Sequence, residues 1–512
     1  MSLELLTIQY WLQHHARYRP DHLAIIFEDK KLSYKQLNEE VNQLSNALIR
    51  AGIRKGDKVA TLLPNCLELW EIYWACALTG AVAVPLSPLL RGQGLFNLLD
   101  NADTRLLITN EELTQHVEEL RGELVKIPAP NFWVTDADNL DNYTSYHLRK
   151  QAAAGDRVNV ETVTGDDPYN IIYSSGTTGL PKGIIISHAV RALYGSLFAN
   201  AFRMTPESVV LHSGAIIFNG SFLTLMPAMF LGCTYVLQAC FDPHAVTETI
   251  RREKVTHTIL VPSQIVSCMQ LEEFNQQNLK SIEYILSVGA PLLLEHKEEL
   301  NRRVPGIFYE LYGLTEGFMT ILDKKDAMSK TGSVGRPPQF MFAKIVDENG
   351  EELATGKIGE IVGKGPLLMT GYYKNEVQTS AAIRDGWLYT GDIGYLDKDG
   401  FLFLTGRKKD LIISGGVNVY PADIEEIVVR HPAVKDVAVF GIAHKEWGET
   451  PVAAVVLKEH AKNTSPEELQ TWANNNLEAR YQKIYKVVII DELPRNIAGK
   501  VLKRELRLQF AE

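Results

Sequence analysis

The chain has 512 residues, of which 46% are apolar and 22% charged, and its formal net charge is −10. Because one compact core rarely holds so many residues, we expect a globular protein of two or more domains. The acidic balance argues against nucleic-acid binding, since such proteins usually present a basic surface to the phosphates.

The cysteines show neither the spacing of a metal site nor that of a disulfide framework; they are Cys66, Cys76, Cys233, Cys240 and Cys268. Scattered thiols in a long chain are typical of a reducing compartment. The first residues also lack a basic segment followed by an apolar one, so no secretory signal is expected. Together these features predict a cytoplasmic protein.

Predicted strands and helices alternate through residues 22–108. The sequence predicts strands at 22–27, 31–33, 59–63, 81–85 and 105–108, and helices at 33–51 and 67–78. Such alternation predicts layered α/β subdomains built on parallel strands. Residues 125–165 are polar and irregular, so we expect surface loops there.

A segment rich in glycine and hydroxyl groups, Tyr173–Gly183, lies between two predicted strands. Backbone N–H groups and hydroxyls in such a turn suit phosphate oxygens, and Lys182 adds a positive charge. The segment is not a Walker A loop, because a strand rather than a helix follows it. The pattern favours nucleotide binding; the alternative is an ordinary Gly/Ser/Thr hairpin turn.

The segment Ser208–Phe241 contains no Asp, Glu, Lys or Arg. A membrane span needs about 20 predominantly apolar residues, but polar residues, glycines and a proline interrupt this segment. We therefore predict a buried helix followed by a buried strand at 234–237, and no integral membrane segment.

Two further turns stand at the ends of neighbouring predicted strands, at Gly289–Pro291 and Gly313–Glu316. Open α/β sheets bind ligands at the carboxyl ends of their strands, so the two turns predict one crevice. The alternative for each turn alone is a plain loop that ends a strand.

Beyond Gly332, short predicted strands with closely spaced turns indicate a small, mainly antiparallel β subdomain. A charged joint at 406–410 leads into a compact α+β unit of about 100 residues. We therefore predict a large N-terminal domain at 1–408 and a small mobile C-terminal domain at 409–512.

Six segments, in this order, resemble motifs of the adenylate-forming enzymes, a superfamily of acyl- and aryl-CoA synthetases, luciferases and adenylation domains. They are Tyr173–Gly183, Gly289–Leu292, Tyr312–Glu316, Tyr389–Asp392, Leu404–Arg407 and Pro494–Lys500. The resemblance implies that a carboxylic acid reacts with ATP to give acyl-AMP and pyrophosphate. The acyl group then passes to a thiol, most simply that of coenzyme A. ATP, Mg²⁺ and coenzyme A are the implied cofactors and co-substrate.

The resemblance also implies roles for single residues around the phosphates. Phosphate contacts fall to Ser174, Ser175, Gly176, Thr177, Thr178, Gly179 and Lys182. Glu316, with Thr178, would bind Mg²⁺, a hard cation that one carboxylate can hold beside phosphates and waters. Thr315 would face the α-phosphate. Lys500 would contact both the acid's carboxylate and the α-phosphate, so Lys182, Thr315, Glu316 and Lys500 are the implied catalytic residues.

Further roles concern the nucleoside. Asp392 would accept hydrogen bonds from both ribose hydroxyls, with help from Arg407. Ala290, Glu310 and Tyr312 would frame the adenine. An isolated charged residue is usually just exposed, and it is the position within a motif that favours binding here.

The second half-reaction implies a rearrangement of the C-terminal domain about a hinge at Lys409. Gly415 and Gly416 would then line a tunnel for the pantetheine arm, because glycine lets a ligand pass close to the backbone. The alternative for the joint is a solvated basic linker.

The acid pocket is implied at Phe218, Asn219, Gly289 and Gly313, with Phe218 standing where many CoA ligases carry a histidine. Because Ser208–Phe241 carries no charge, we expect an apolar acid, and fatty and aryl acids both meet that expectation.

Two other functions stay open: an aryl-acid or amino-acid adenylating enzyme that loads a carrier protein, and a non-catalytic nucleotide-binding relative. The segment Ser208–Phe241 lacks the aspartate that amino-acid activation commonly places there, which weakens the amino-acid alternative. The non-catalytic alternative is weakened because the charged motif residues are intact; they are Lys182, Glu316, Asp392, Arg407 and Lys500. A homodimer also stays open.

Overall fold

The computed structural model describes residues 7–156, 158–174, 182–415, 417–477, 479–495 and 501–510. The chain forms two compact units. The first unit comprises 1–331, 337–342 and 364–388, and the second comprises 332–336, 343–363 and 389–512. The predicted division at residue 408 stays a prediction.

The described residues form strands and α-helices along the whole chain, with the following bounds. The strands are β1 Leu23–Phe27, β2 Lys30–Ser33, β3 Lys58–Leu62, β4 Val82–Leu86, β5 Thr104–Thr109, β6 Phe132–Val134, β7 Thr144–Ser145, β8 Pro168–Ser174, β9 Lys182–Ser187, β10 Val209–His212, β11 Thr234–Leu237, β12 His257–Leu260, β13 Tyr284–Val288, β14 Phe308–Gly313, β15 Met319–Leu322, β16 Phe342–Val346, β17 Gly359–Lys364, β18 Gly371–Tyr372, β19 Ile383–Arg384, β20 Trp387–Leu396, β21 Leu402–Arg407, β22 Ile412–Ser414, β23 Val417–Val419, β24 Val434–His444, β25 Gly448–Leu457 and β26 Lys486–Ile489. The α-helices are α1 Trp11–Tyr18, α2 Tyr34–Arg50, α3 Leu67–Thr79, α4 Gly92–Asn101, α5 Thr114–Glu118, α6 Tyr146–Gln151, α7 His188–Ala201, α8 Phe222–Leu231, α9 Pro243–Glu253, α10 Pro262–Met269, α11 Leu294–Arg303, α12 Glu376–Ala382, α13 Pro421–Val428, α14 Pro466–Asn476 and α15 Lys503–Gln509.

Two sheets form the framework of the first unit. One has the strand order β15-β14-β13-β12-β10-β11-β1-β2 and the other β18-β9-β8-β4-β3-β5-β6-β7. The inner pairs of the first sheet are parallel, and antiparallel pairs close both its ends. In the second sheet, β8, β9 and β18 form the antiparallel end. Helices connect the parallel strands, which confirms the layered α/β prediction.

The predicted helix after Ser33 shows how the sequence sets these elements locally. Ser33 Oγ accepts from the Gln36 N–H, and the Gln36 side chain accepts from the Ser33 N–H, so the two form a capping box. Leu37, Leu44 and Leu48, which share one helix face, are buried. The prediction of this helix is confirmed.

The uncharged segment Ser208–Phe241 contains a buried helix and a buried strand, α8 and β11, as predicted. Strand β10 precedes them and pairs with β11 in parallel. No helix among the described residues is both long and apolar enough for a membrane span.

The prediction of surface loops at 125–165 is wrong in part. Strand β6 lies within this range, pairs with β5 in parallel, and has Trp133 at its centre with 0% exposure. Trp133 packs edge-on against Tyr146, which opens helix α6. A three-residue strand is too short to show a period in sequence, so only tertiary pairing reveals it.

The second unit contains a sheet in the order β16-β17-β20 with β21 on β20, and a separate sheet in the order β23-β22-β25-β24 with β26 on β25. Successive residues of the latter face opposite sides. Val439 packs in a cluster with Ile424 and Leu469 of α13 and α14, whereas Phe440 packs with Leu506 of α15. Helices therefore cover both faces of this sheet, which confirms the predicted α+β character.

Candidate active site

Strands β8 and β9 form the antiparallel hairpin that carries the predicted phosphate segment. Ser174 stands opposite Lys182 and Tyr173 opposite Gly183. The predicted phosphate residues Ser175, Gly176, Thr177, Thr178 and Gly179 lie outside the described residues. The sequence therefore placed the segment correctly between two paired strands.

The short strand β18 lies alongside β9. Tyr372 pairs with Ile184, and the Tyr373 N–H donates to the Gly183 carbonyl at 2.7 Å. The ring of Tyr372 lies under the ammonium of Lys182, with Nζ 4.9 Å from the ring centroid. Tyr372, which lies outside the six motifs, thus contacts the predicted phosphate lysine.

The turn after β14 carries Thr315 and Glu316, both half-buried. Gly317 closes the turn at φ 107°, and a Cβ there would stand 2.0 Å from the Leu367 carbonyl oxygen, so only glycine fits. The Met369 N–H donates to the Glu316 carbonyl at 2.8 Å. The segment that leads to Tyr372 therefore packs directly on this turn.

The side chain of Tyr372 joins the two motifs. Its hydroxyl donates to Glu316 Oε1 at 2.8 Å, while its ring faces Lys182. Burial and the Glu316 charge raise the pKa of Tyr372, which keeps the hydroxyl protonated as a donor. The predicted phosphate lysine and the predicted metal carboxylate are thus brought together within the first unit.

The predicted adenine residues lie at the ends of β13 and β14. Ala290 is exposed and Tyr312 half-buried, whereas the carboxylate of Glu310 is buried and ion-paired with Lys297 Nζ at 2.5 Å. Glu310 also accepts from the Leu292 N–H at 3.3 Å. Burial raises the pKa of Glu310, and Lys297 opposes this. The structure therefore ties Glu310 to Lys297, a partner that the sequence did not indicate.

The predicted acid-pocket residues Phe218 and Asn219 stand in the loop between β10 and α8, and both are half-buried. Asn65 braces this loop, because its amide donates to the Gly214 carbonyl at 2.7 Å and accepts from the Ile216 N–H at 2.9 Å. The other two predicted pocket residues, Gly289 and Gly313, are exposed at their strand ends.

Arg191, in the first turns of α7, reaches the same loop and is 0% exposed. Its guanidinium donates to Asn219 Oδ1 at 2.9 Å and to Asn170 Oδ1 at 3.3 Å. It also lies 3.9 Å from the centroid of the Phe222 ring. Burial lowers the pKa of Arg191 to about 10. Sequence reasoning missed this buried cation, whose one signal was a single arginine in an otherwise uncharged helix.

In the second unit, Asp392 and Arg407 stand opposite each other on β20 and β21. Arg407 Nε lies 3.0 Å from Asp392 Oδ1, and Asp392 is buried. The pairing gives this buried carboxylate a cationic partner, which offsets part of the cost of burying it.

The predicted hinge Lys409 is exposed in a short 3₁₀ turn, and partial desolvation of its ammonium lowers its pKa. Gly415 adopts φ 60° and donates its N–H to the Trp447 carbonyl at 2.7 Å. A Cβ at Gly415 would stand 2.8 Å from the Trp447 ring, so the position requires glycine. Gly416 and Lys500 lie outside the described residues.

Among the residues that the structure describes, no group of three or more His, Cys, Asp or Glu is arranged to hold a metal ion. Glu316 offers a single carboxylate, and hard cations such as Mg²⁺ are commonly held by one or two carboxylates plus substrate phosphates. The donor set therefore fits a cation that arrives with the nucleotide.

Two family models match the chain. AMP-binding enzymes match residues 12–373, and the C-terminal domain of AMP-binding enzymes matches residues 423–500.

Known proteins resemble the chain over nearly its whole length. The indoleacetate–CoA ligase of Aromatoleum aromaticum is 33% identical over 98% of both chains. Other relatives are named feruloyl-CoA synthase, 2-succinylbenzoate–CoA ligase and long-chain-fatty-acid–CoA ligase. Among solved structures, ATP-bound MatB from Rhodopseudomonas palustris has a TM-score of 0.89 at 27% identity, covering 99% of both chains. The o-succinylbenzoate CoA synthetase of Bacillus subtilis with ATP and magnesium has a TM-score of 0.86 at 30% identity, covering 97% of this chain and 99% of that one.

Proposed function

The chain belongs to the AMP-binding enzyme family and is an AMP-forming acyl-CoA ligase, and from that premise we propose which acid it activates and which residues act. The acid is apolar, either an aryl or a fatty acid. It reacts with ATP to give acyl-AMP and pyrophosphate, and the thiol of coenzyme A then takes the acyl group with release of AMP.

One observation supports the nucleotide roles above all others. Lys182 and Glu316, from motifs far apart in the chain, meet at Tyr372. An ammonium and a carboxylate that share a fixed neighbour suit a triphosphate and its cation. We assign Lys182 to the β- and γ-phosphates and Glu316, with Thr178, to Mg²⁺, which when bound neutralises phosphate charge.

The chemistry requires positioning more than covalent catalysis. A carboxylate is a poor electrophile because its leaving group would be oxide, and a mixed anhydride with AMP replaces oxide by a phosphate anion. Residues that hold the pyrophosphate and align the acid therefore lower the barrier. We assign alignment to Thr315 and Lys500, ribose binding to Asp392 and Arg407, and the adenine to Ala290, Glu310 and Tyr312.

The apolar nature of the acid is supported by the loop at Phe218 and the helix after it. Phe222 packs near Tyr73, with ring centroids 5.4 Å apart, and α8 carries no charged residue. Arg191 brings a charge to this loop, but its contacts to Asn219 and Asn170 occupy two of its donors. The relatives' names include both aryl and fatty acids, so experiment must decide the class of acid.

The test is ATP–pyrophosphate exchange with a panel of acids, run with and without coenzyme A. The panel includes indoleacetate, ferulate, 2-succinylbenzoate and fatty acids of several lengths. Exchange with an apolar acid and consumption of coenzyme A are expected. Exchange only with amino acids, or without use of coenzyme A, would favour a carrier-protein ligase; absence of exchange with every acid would favour a non-catalytic relative.

A second experiment separates the two half-reactions. Lys500→Ala should lower adenylation by roughly 10²–10³-fold, the usual effect of removing one group that stabilises developing charge. It should leave thioesterification of supplied acyl-AMP nearly intact. Pro at Lys409 should do the reverse if that residue is the hinge. Equal loss of both steps in both variants contradicts domain alternation.

A further inference from the structure

Tyr372 lies where three segments of the first unit meet, and none of the roles above uses it. The strand that contains it pairs with β9 immediately after the phosphate segment. The preceding residues pack on the turn of Glu316, where the Met369 N–H holds the Glu316 carbonyl. The backbone of Tyr372 is itself fixed, because its N–H donates to Thr379 Oγ1 at 2.9 Å.

The side chain makes two contacts of different kinds. The hydroxyl donates a charge-assisted hydrogen bond to Glu316 Oε1 at 2.8 Å. The ring presents its face to the Lys182 ammonium, whose Nζ is 4.9 Å from the ring centroid, a geometry typical of a cation–π interaction. The residue is only 8% exposed, so neither contact is freely exchanged for water.

Lys182 and Glu316 carry opposite charges, the first over the face of this ring and the second at its hydroxyl. Both are described residues, and no ion pair joins them in the structure. A direct pair would neutralise the two charges that a nucleotide and its cation need. Tyr372 gives each charge a neutral partner instead, so each stays available to a ligand.

We propose that Tyr372 is a positioning residue that holds Glu316 and Lys182 apart and oriented before the nucleotide binds. This inference rests on the nucleotide roles proposed above. The hydroxyl fixes the carboxylate for the cation, and the ring fixes the ammonium for the phosphates. Preorganisation of this kind saves the ordering of two side chains at the moment of binding.

The experiment compares two adjacent tyrosines. Tyr372→Phe removes the hydroxyl bond to Glu316 and keeps the ring beneath Lys182. Tyr373→Phe removes a hydroxyl bond of the same length, 2.8 Å, to Asp103, a residue with no role in the proposed site. Tyr372→Leu removes both contacts of Tyr372.

The readout is ATP binding by calorimetry, without acid, across a range of Mg²⁺ concentrations. Tyr372→Phe should raise the Mg²⁺ concentration needed for half-maximal ATP affinity by about tenfold, because bonds to charged groups contribute that much. Tyr372→Leu should in addition weaken ATP binding at saturating Mg²⁺ by several-fold, the size of a cation–π contact. Tyr373→Phe should match the wild type in both.

Equal Mg²⁺ dependence in the two phenylalanine variants would overturn the inference, and so would a loss limited to thermal stability. If Tyr372→Phe is destabilised, all variants are compared at a temperature at which it is folded, and Glu316→Gln in the Tyr372→Phe and wild-type backgrounds supplies a double-mutant cycle. Additive losses in ATP affinity would then contradict the coupling, and non-additive losses would support it. Because no acid is present, the result does not depend on finding the substrate: a wild type that binds Mg²⁺–ATP but exchanges pyrophosphate with no acid refutes the proposed reaction alone.

Discussion

Two neighbouring tyrosines make the same bond in different surroundings. Tyr372 donates to Glu316 and Tyr373 donates to Asp103, each at 2.8 Å. Asp103 is also ion-paired with Lys126 at 3.0 Å and with Lys374 at 2.7 Å. Asp103 thus has two ammonium groups in addition to its tyrosine hydroxyl, whereas Glu316 has the tyrosine hydroxyl and no ion pair among the described residues.

The difference separates a structural carboxylate from one that can receive a ligand. Burial raises the pKa of Asp103, but bonds from Lys374, Lys126 and Tyr373 outweigh it and lower that pKa to about 2. Its charge is satisfied by the protein. Among the residues that the structure describes, Glu316 is in no ion pair, which suits the cation site proposed for it.

The largest effect should come from exchanging each carboxylate for its amide. Glu316→Gln should lower pyrophosphate exchange by about 10²–10³-fold, since it removes a charge that acts on the reacting phosphates. Asp103→Asn should stay close to the wild type in the same assay. Similar losses in both variants would erase the distinction between the two carboxylates.

A smaller effect is expected from the glycine that lets the Tyr372 segment approach Glu316. Gly317→Ala should cost roughly 2–4 kcal/mol in denaturant unfolding, because the added methyl meets the Leu367 carbonyl. It should also weaken Mg²⁺–ATP binding.

The matched control is Gly56→Ala, at φ 84° with nothing within 4 Å of the added Cβ. It carries only the strain of the left-handed backbone, about 1–2 kcal/mol, and should leave nucleotide binding unchanged. Equal behaviour of the two variants would show that packing on Leu367 is irrelevant to the site.

The comparison between structural charges and charges at the site extends to Arg191, which contacts the loop of Phe218 and Asn219. Arg191→Met leaves Asn219 Oδ1 without its donor, beside the predicted pocket residue Phe218. We expect kcat/KM for the acid to fall by about tenfold, the contribution of one hydrogen bond from a charged donor, with KM for ATP unchanged. Asn170→Ser, which removes the other partner of Arg191, should affect the acid less. A fall in thermal stability alone, with unchanged acid kinetics, would assign Arg191 a purely structural role.

The smallest effect is a pH dependence of stability. The folded pKa of Asp103 is depressed to about 2 from 3.8, so its contribution is present above pH 4. It is lost as the pH falls from about 4 to about 2. Asp103→Asn should therefore remove part of the wild type's decline in melting temperature over this window. An unchanged decline would show that the lysine contacts contribute little in solution.

Much of the fold could be predicted because its signals are local. Ser33, a favoured cap residue, indicates the start of α2, and the apolar runs that flank Tyr173–Gly183 indicate two strands joined by a turn. Strand β6 could not be predicted, since three residues carry no period and Trp133 is buried only by its partners.

The residues of the candidate site also divide into those that the sequence indicates and those that it does not. Lys182 and Glu316 stand in contiguous motifs that sequence displays, whereas Arg191 and Lys297 lie in helices where a charged residue is normally exposed. The uncharged composition of Ser208–Phe241 did not reveal that a cation reaches that loop from α7. Tyr372 was missed for a related reason: its importance depends on which residues it contacts.

The pairing of β18 with β9 has a consequence for solubility. Strand β18 ends the second sheet, and its partner β9 carries the apolar run Ile184–Ile186. An uncovered strand of this kind is a template for intermolecular pairing and aggregation. Strand β18, which contains Tyr372, covers this edge of β9 by pairing with it. A chain truncated before Gly371 should therefore self-associate through β9.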